Sequence, residues 1–92
     1  IELGAGVNIS SSCRIASQSS VVIGESTLIA AYAYIGPGNH KRREGLPLIS
    51  QEMEIKGGVN IGRHCWIGAH TTILDGVTIG DYSVVGANSL VR

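Results

Sequence analysis

The stretch that decides the fold runs from Val59 to Val91: VNIGRHCWIGAHTTILDGVTIGDYSVVGANSLV. An aliphatic residue returns at every sixth position, at Ile61, Ile67, Ile73, Ile79, Val85 and Val91. Working outward, the same frame begins at Leu3, Ile9 and Ile15, then passes two extra residues (Val21 and Val22) to reach Ile23, Ile29 and Ile35. After an interruption it resumes at Ile55, one hexad before Ile61. These thirteen heads take up ten of the twelve isoleucines in the chain. The residue after the head is mostly Gly or Ala, as at Gly24, Ala30, Gly62 and Gly68. Four after the head stands a small or β-branched residue, such as Val7, Cys13, Thr27, Ala33, Cys65 or Thr71.

A period of six fits neither the 3.6-residue helix nor a simple two-residue alternation. It fits a short strand followed by a tight turn, with one hexad on each face of a coil. Head and head-plus-four lie an even step apart, so both point inward; β-branched residues suit the flats and small ones the corners. Three hexads make a triangular coil, and stacked coils pair along the axis as parallel sheets in a solenoid. The expected fold is therefore all-β, a parallel β-helix of about four coils forming a single domain over residues 1–92. A prism of that width needs nothing larger than Ile inside, which accounts for the absence of Phe.

Composition narrows the function. Seven basic and seven acidic side chains balance to zero net charge, which argues against electrostatic capture of nucleic acid or of an anionic membrane. No apolar run approaches the ~20 residues of a membrane span, and no segment has signal-peptide character. The chain starts at Ile1 rather than Met and is expected to be a processed or truncated product. The charges are unevenly placed: six of the fourteen fall in the break PGNHKRREGLPLISQEME, residues 37–54, which also holds both prolines. Since the repeat resumes intact, this segment is expected to be a loop protruding from one corner. Long insertions of this kind are more often functional than ornamental. His40 lies near the loop's start; on its residues alone it is either a catalytic base or an ordinary exposed histidine.

The hexad pattern, over nearly the whole chain, resembles the hexapeptide-repeat acyltransferases. The Val59–Val91 stretch is similar to the C-terminal coils of their sugar and glycan O-acetyltransferases. The resemblance implies a left-handed coil, although parallel crossovers are otherwise overwhelmingly right-handed. It also implies a homotrimer, with acetyl-CoA as co-substrate and a hydroxyl of a sugar, glycan or similar small molecule as acceptor. His40 matches the position of the family's catalytic histidine, where the loop leaves the coil after IGESTLIAAYAYIG, and PLISQ (47–51) also resembles that loop. An imidazole titrating near neutrality is suited to taking a proton from an alcohol, with Glu44, Glu52 or Glu54 as possible orienting groups. By the same resemblance, Trp66 in the W-I-G motif would line the cleft. Backbone amides near Ala69 and Ala87 would meet the pantetheine arm. The basic run Lys41-Arg42-Arg43 could meet coenzyme A phosphates, and the sequence ends at Arg92 where relatives often continue with a basic tail.

The other distinctive residues attract plainer readings. His64 and His70 are six apart and project from adjacent faces, whereas solenoid carbonic anhydrases place two zinc-binding histidines five apart; no metal site is expected. Counting through Ile55 puts Cys13 and Cys65 on one face two coils apart, about 9–10 Å and beyond disulfide reach. Buried free thiols and a cytoplasmic location follow. Ser10 to Ser12, Tyr32 and Tyr34 are candidate acceptor contacts. The rival to an enzyme is a non-catalytic β-helix trimerisation module, supported by the short length and balanced charge.

Overall fold

The computed structural model describes residues 1–16, 20–36 and 57–92. Twelve strands of two or three residues follow one another: β1 (Glu2–Leu3), β2 (Asn8–Ile9), β3 (Arg14–Ile15), β4 (Val21–Ile23), β5 (Leu28–Ile29), β6 (Tyr34–Gly36), β7 (Val59–Ile61), β8 (Trp66–Ile67), β9 (Thr72–Leu74), β10 (Thr78–Ile79), β11 (Val84–Val85) and β12 (Leu90–Val91). They form three parallel four-stranded sheets: a first face β1-β4-β7-β10, a second β2-β5-β8-β11 and a third β3-β6-β9-β12. Each strand of the two middle coils pairs with the strands one coil below and one coil above, and those of the end coils pair inward, so the chain is a left-handed parallel β-helix of four triangular coils.

The heads stack on heads. Leu3, Ile23, Ile61 and Ile79 make one inward column. Ile9, Ile29, Ile67 and Val85 make the second, and Ile15, Ile35, Ile73 and Val91 the third. Ile29, Ile67 and Ile73 in the two middle coils are completely buried. Full burial of each such side chain contributes roughly 1.5–3 kcal/mol. The head-plus-four row also turns inward, and its hydroxyls stay satisfied. Thr27 Oγ1 donates to the Gly62 carbonyl at 2.8 Å and accepts the Cys65 N–H at 3.1 Å. Thr71 Oγ1 donates to the Gly86 carbonyl at 3.2 Å.

Small residues follow the heads because the next coil lies directly over them. A Cβ on Gly24 would sit 2.6 Å from the Gly62 carbonyl carbon, and one on Gly68 would sit 2.6 Å from the Ala87 nitrogen. Three after the head, the chain turns through the left-handed region. Seven non-glycine residues do so, from Ser12 and Ser26 to Tyr32, His64, His70, Tyr82 and Asn88, with φ between 54° and 63°. L-residues avoid that region on steric grounds. Beyond the first coil, each of these turns is tied to the coil below, as in His64 N–H to the Glu25 carbonyl (2.9 Å) and Asn88 N–H to the Ala69 carbonyl (2.9 Å).

Two expectations are corrected by the register. Ile23 pairs directly with Ile61, 38 positions later, so the first-face head of the third coil is Ile61 and not Ile55. Twelve heads build the coils, and Ile55 lies outside the described residues. Counting Ile55 moved every later hexad one face onward. Cys13 and Cys65 consequently do not share a face: Cys13 leads into β3 on the third face, whereas Cys65 leads into β8 on the second. Both are free thiols, with Cys65 buried and Cys13 half-buried. Their Sγ atoms donate to the Gly80 carbonyl (3.2 Å) and the Ala30 carbonyl (3.1 Å) respectively.

Candidate functional site

The two corners flanking the second face are built from different side chains. At the first corner, Ala5, Glu25, Arg63 and Asp81 follow one another up the axis, each two after its head. Arg63 lies 3.3 Å from Asp81 and 3.9 Å from Glu25, between half-exposed side chains whose mutual attraction is largely screened. The Arg63 N–H donates to Asp81 Oδ1 at 2.8 Å. That backbone bond is the main reason the Asp81 carboxyl is held below the ordinary aspartate value, with the Arg63 side chain and the neighbouring His64 adding to it.

At the second corner the same positions are Ser11, Ala31, Ala69 and Ala87. No side chain there carries a carboxylate, so nothing takes the part that Asp81 plays for Arg63. Among the described residues, no acceptor meets the N–H of Ala69 or of Ala87, although the Ala69 carbonyl accepts from Asn88. Beside these alanines lies a groove of about 390 Å³, lined by Ala30, Trp66, Gly68, Ala69, Gly86 and Ala87 together with Val84 and Val85. Its wall is apolar because Trp66 sits in register between Leu28 and Val84, all three pointing outward from the second face. Trp66 remains 57 % exposed.

The fold thus brings Trp66, Ala69 and Ala87 into one groove, as the sequence reading had grouped them. His40, the loop 37–54 and its carboxylates lie outside the described residues. The last described residue before that segment, Gly36, ends β6 on the third face, whereas the groove opens at the junction of the second and third faces. His64 and His70 stand on different corners. Each is stacked on a tyrosine of a neighbouring coil, His64 on Tyr82 (centroids 5.1 Å, planes 6° apart) and His70 on Tyr32 (4.9 Å, 3°). Sequence reasoning placed both histidines at the surface and missed both partners. The signal was present, because all four rings stand three after a head; the His64–Tyr82 pair is three unbroken hexads apart, whereas the Tyr32–His70 pair becomes legible only with the correct register across the break. Among the described residues no group of three His, Cys, Asp or Glu could hold a metal ion.

A slender chain of amides and methylenes suits this groove. Small residues let it approach the coil, the tryptophan offers an apolar flank, and the open N–H groups offer hydrogen bonds at fixed positions. The pantetheine arm of coenzyme A is one chain with that chemistry.

Comparison with known proteins agrees with this architecture. Residues 58–92 match the family model of the bacterial transferase hexapeptide (six repeats). The chain is 40% identical over 93 residues to the "Putative lipopolysaccharide biosynthesis O-acetyl transferase WbbJ" of Escherichia coli (strain K12), a match covering 94% of this chain and 47% of that protein. It is 34% identical over 95 residues to the galactoside O-acetyltransferase of the same organism, covering 99% of this chain and 44% of the relative. The chain therefore spans about half the length of these curated relatives. With its hexad coil and these matches, the chain belongs to the hexapeptide-repeat acyltransferase family.

Proposed function

We propose that this chain is the coil domain of an acetyl-CoA-dependent O-acetyltransferase, acting on a hydroxyl of a sugar, a glycan or a similar small acceptor. The observation that carries the reading is the second-corner groove, where Trp66 flanks the unmet N–H groups of Ala69 and Ala87. The relatives' names support acetyl transfer to oxygen, and two of them name a lipopolysaccharide or galactoside context. When bound, acetyl-CoA supplies an activated thioester carbonyl. His40 takes the proton from the acceptor hydroxyl and makes its oxygen a competent nucleophile. The net change is one ester and one free thiol from one alcohol and one thioester.

The working unit in this reading is a homotrimer. The chain enters the His40 segment from the third face, while its groove opens one corner earlier, so a neighbouring copy would join one protomer's groove to another's loop. Two free thiols on separate faces fit a reducing cytoplasm. No helix among the described residues is long and apolar enough to cross a membrane.

The test is thiol release from acetyl-CoA by the purified protein, measured against a panel of galactosides, other sugars and oligosaccharides. Acceptor-dependent release is the expected result. Failure of every acceptor, together with no detectable coenzyme A binding, would overturn the enzyme reading in favour of a structural β-helix module.

A further inference from the structure

Tyr32 and His70 stack face to face at the second corner, their planes only 3° apart. Both lie in the left-handed region, at φ 63° and 58°. Bulky residues persist in that region only where their surroundings over-determine the turn. Two ties are visible here. The His70 N–H donates to the Ala31 carbonyl at 3.0 Å, and the Tyr32 N–H donates to the Ser11 carbonyl at 3.2 Å. The stacked rings add a third tie, made between side chains of adjacent coils. His70 directly follows Ala69, and Ala30 and Ala69 both line the groove. The backbone torsions of this turn therefore bear on where the Ala69 N–H points.

Resting on the acetyltransferase reading, we propose that Tyr32, through its stack on His70, is a positioning residue for thioester binding. The rings clamp successive turns of the second corner together, so that the Ala69 N–H is presented to the groove in one fixed direction. A donor fixed beforehand loses less conformational freedom when the ligand arrives, and affinity gains accordingly. The first corner supplies a matched comparison. His64 and Tyr82 stack there in nearly the same geometry, 5.1 Å and 6°, but beside Arg63, whose N–H is already taken by Asp81.

The experiment is calorimetric titration of the full chain with coenzyme A, with melting temperatures measured on the same samples. Tyr32→Ala is expected to weaken binding about threefold to tenfold, the range an aromatic pair is worth. Tyr32→Phe should restore it, because the ring and not the hydroxyl makes the stack. Tyr32→Asn serves if the alanine variant fails to fold, since asparagine tolerates the left-handed turn and removes the ring. Tyr82→Ala should leave affinity unchanged even where it lowers the melting temperature. Wild-type affinity in folded Tyr32→Ala or Tyr32→Asn would overturn the proposal, as would equal weakening by Tyr82→Ala. If the wild-type chain does not bind coenzyme A, the acetyltransferase reading itself falls, and this proposal with it.

Discussion

Replacing His40 by alanine is expected to lower acetyl transfer by about 10²–10⁴-fold, the usual worth of a positioned general base. Coenzyme A binding should stay within about twofold of wild type on the binding scale, since Trp66, Ala69 and Ala87, which line the groove at the second corner, are left intact by the substitution. The size of the effect follows from the chemistry. An alcohol at neutral pH is a weak nucleophile, and an imidazole is the side chain whose ordinary titration range lets it accept a proton there. The split between turnover and binding gives the prediction its content, because a variant that merely loosened the protein would lose both together. Retention of full transfer by His40→Ala would remove the base from the proposed function and leave the groove reading standing alone.

The second large effect concerns the coil. Ile67→Ala should destabilise the protein by about 2–5 kcal/mol, lowering the melting temperature by about 10 °C or more. Ile67 is completely buried, with Ile29 beneath it and Val85 above it in the same inward column. Backbone ladders on all three faces hold the coils at a fixed spacing, so the space left by the missing carbons has no means of closing. Ile67→Val should cost much less, about 0.5–1.5 kcal/mol. Val84→Ala, one coil above on the outward row, should be close to neutral because Val84 is 69 % exposed. Thermal unfolding of the three variants checks the series. A loss for Val84→Ala matching that of Ile67→Ala would contradict the inward column as the source of stability.

The hexad made most of the fold legible, for a direct reason. A head buried on every coil must be aliphatic, and a residue lying under the next coil's backbone must be small, so both rows are written in residue type. Trp66, Ala69 and Ala87 were grouped through the family resemblance, and the coil register sets them together on the second face and its corner. Ile55 shows where this logic stops. It fits the hexad spacing, but spacing within one segment says nothing about which face the chain rejoins after an insertion. Only the pairing of Ile23 with Ile61 settles that, and the relation of Cys13 to Cys65 changes with it. The contrast between the two corners was hidden for a second reason. Asp81 caps Arg63 and Tyr32 stacks on His70 through contacts between coils, so neither is encoded in the hexad that contains it.

The most direct measurement is the structure of the protein crystallised with coenzyme A. The account predicts the pantetheine arm lying along the second-corner groove beside Trp66, with an arm oxygen about 2.7–3.2 Å from the Ala69 nitrogen. It further predicts the thiol end facing His40 of a neighbouring copy. Coenzyme A bound on another face, or at this corner with no contact to Ala69 or Ala87 and no histidine near the sulfur, would contradict it.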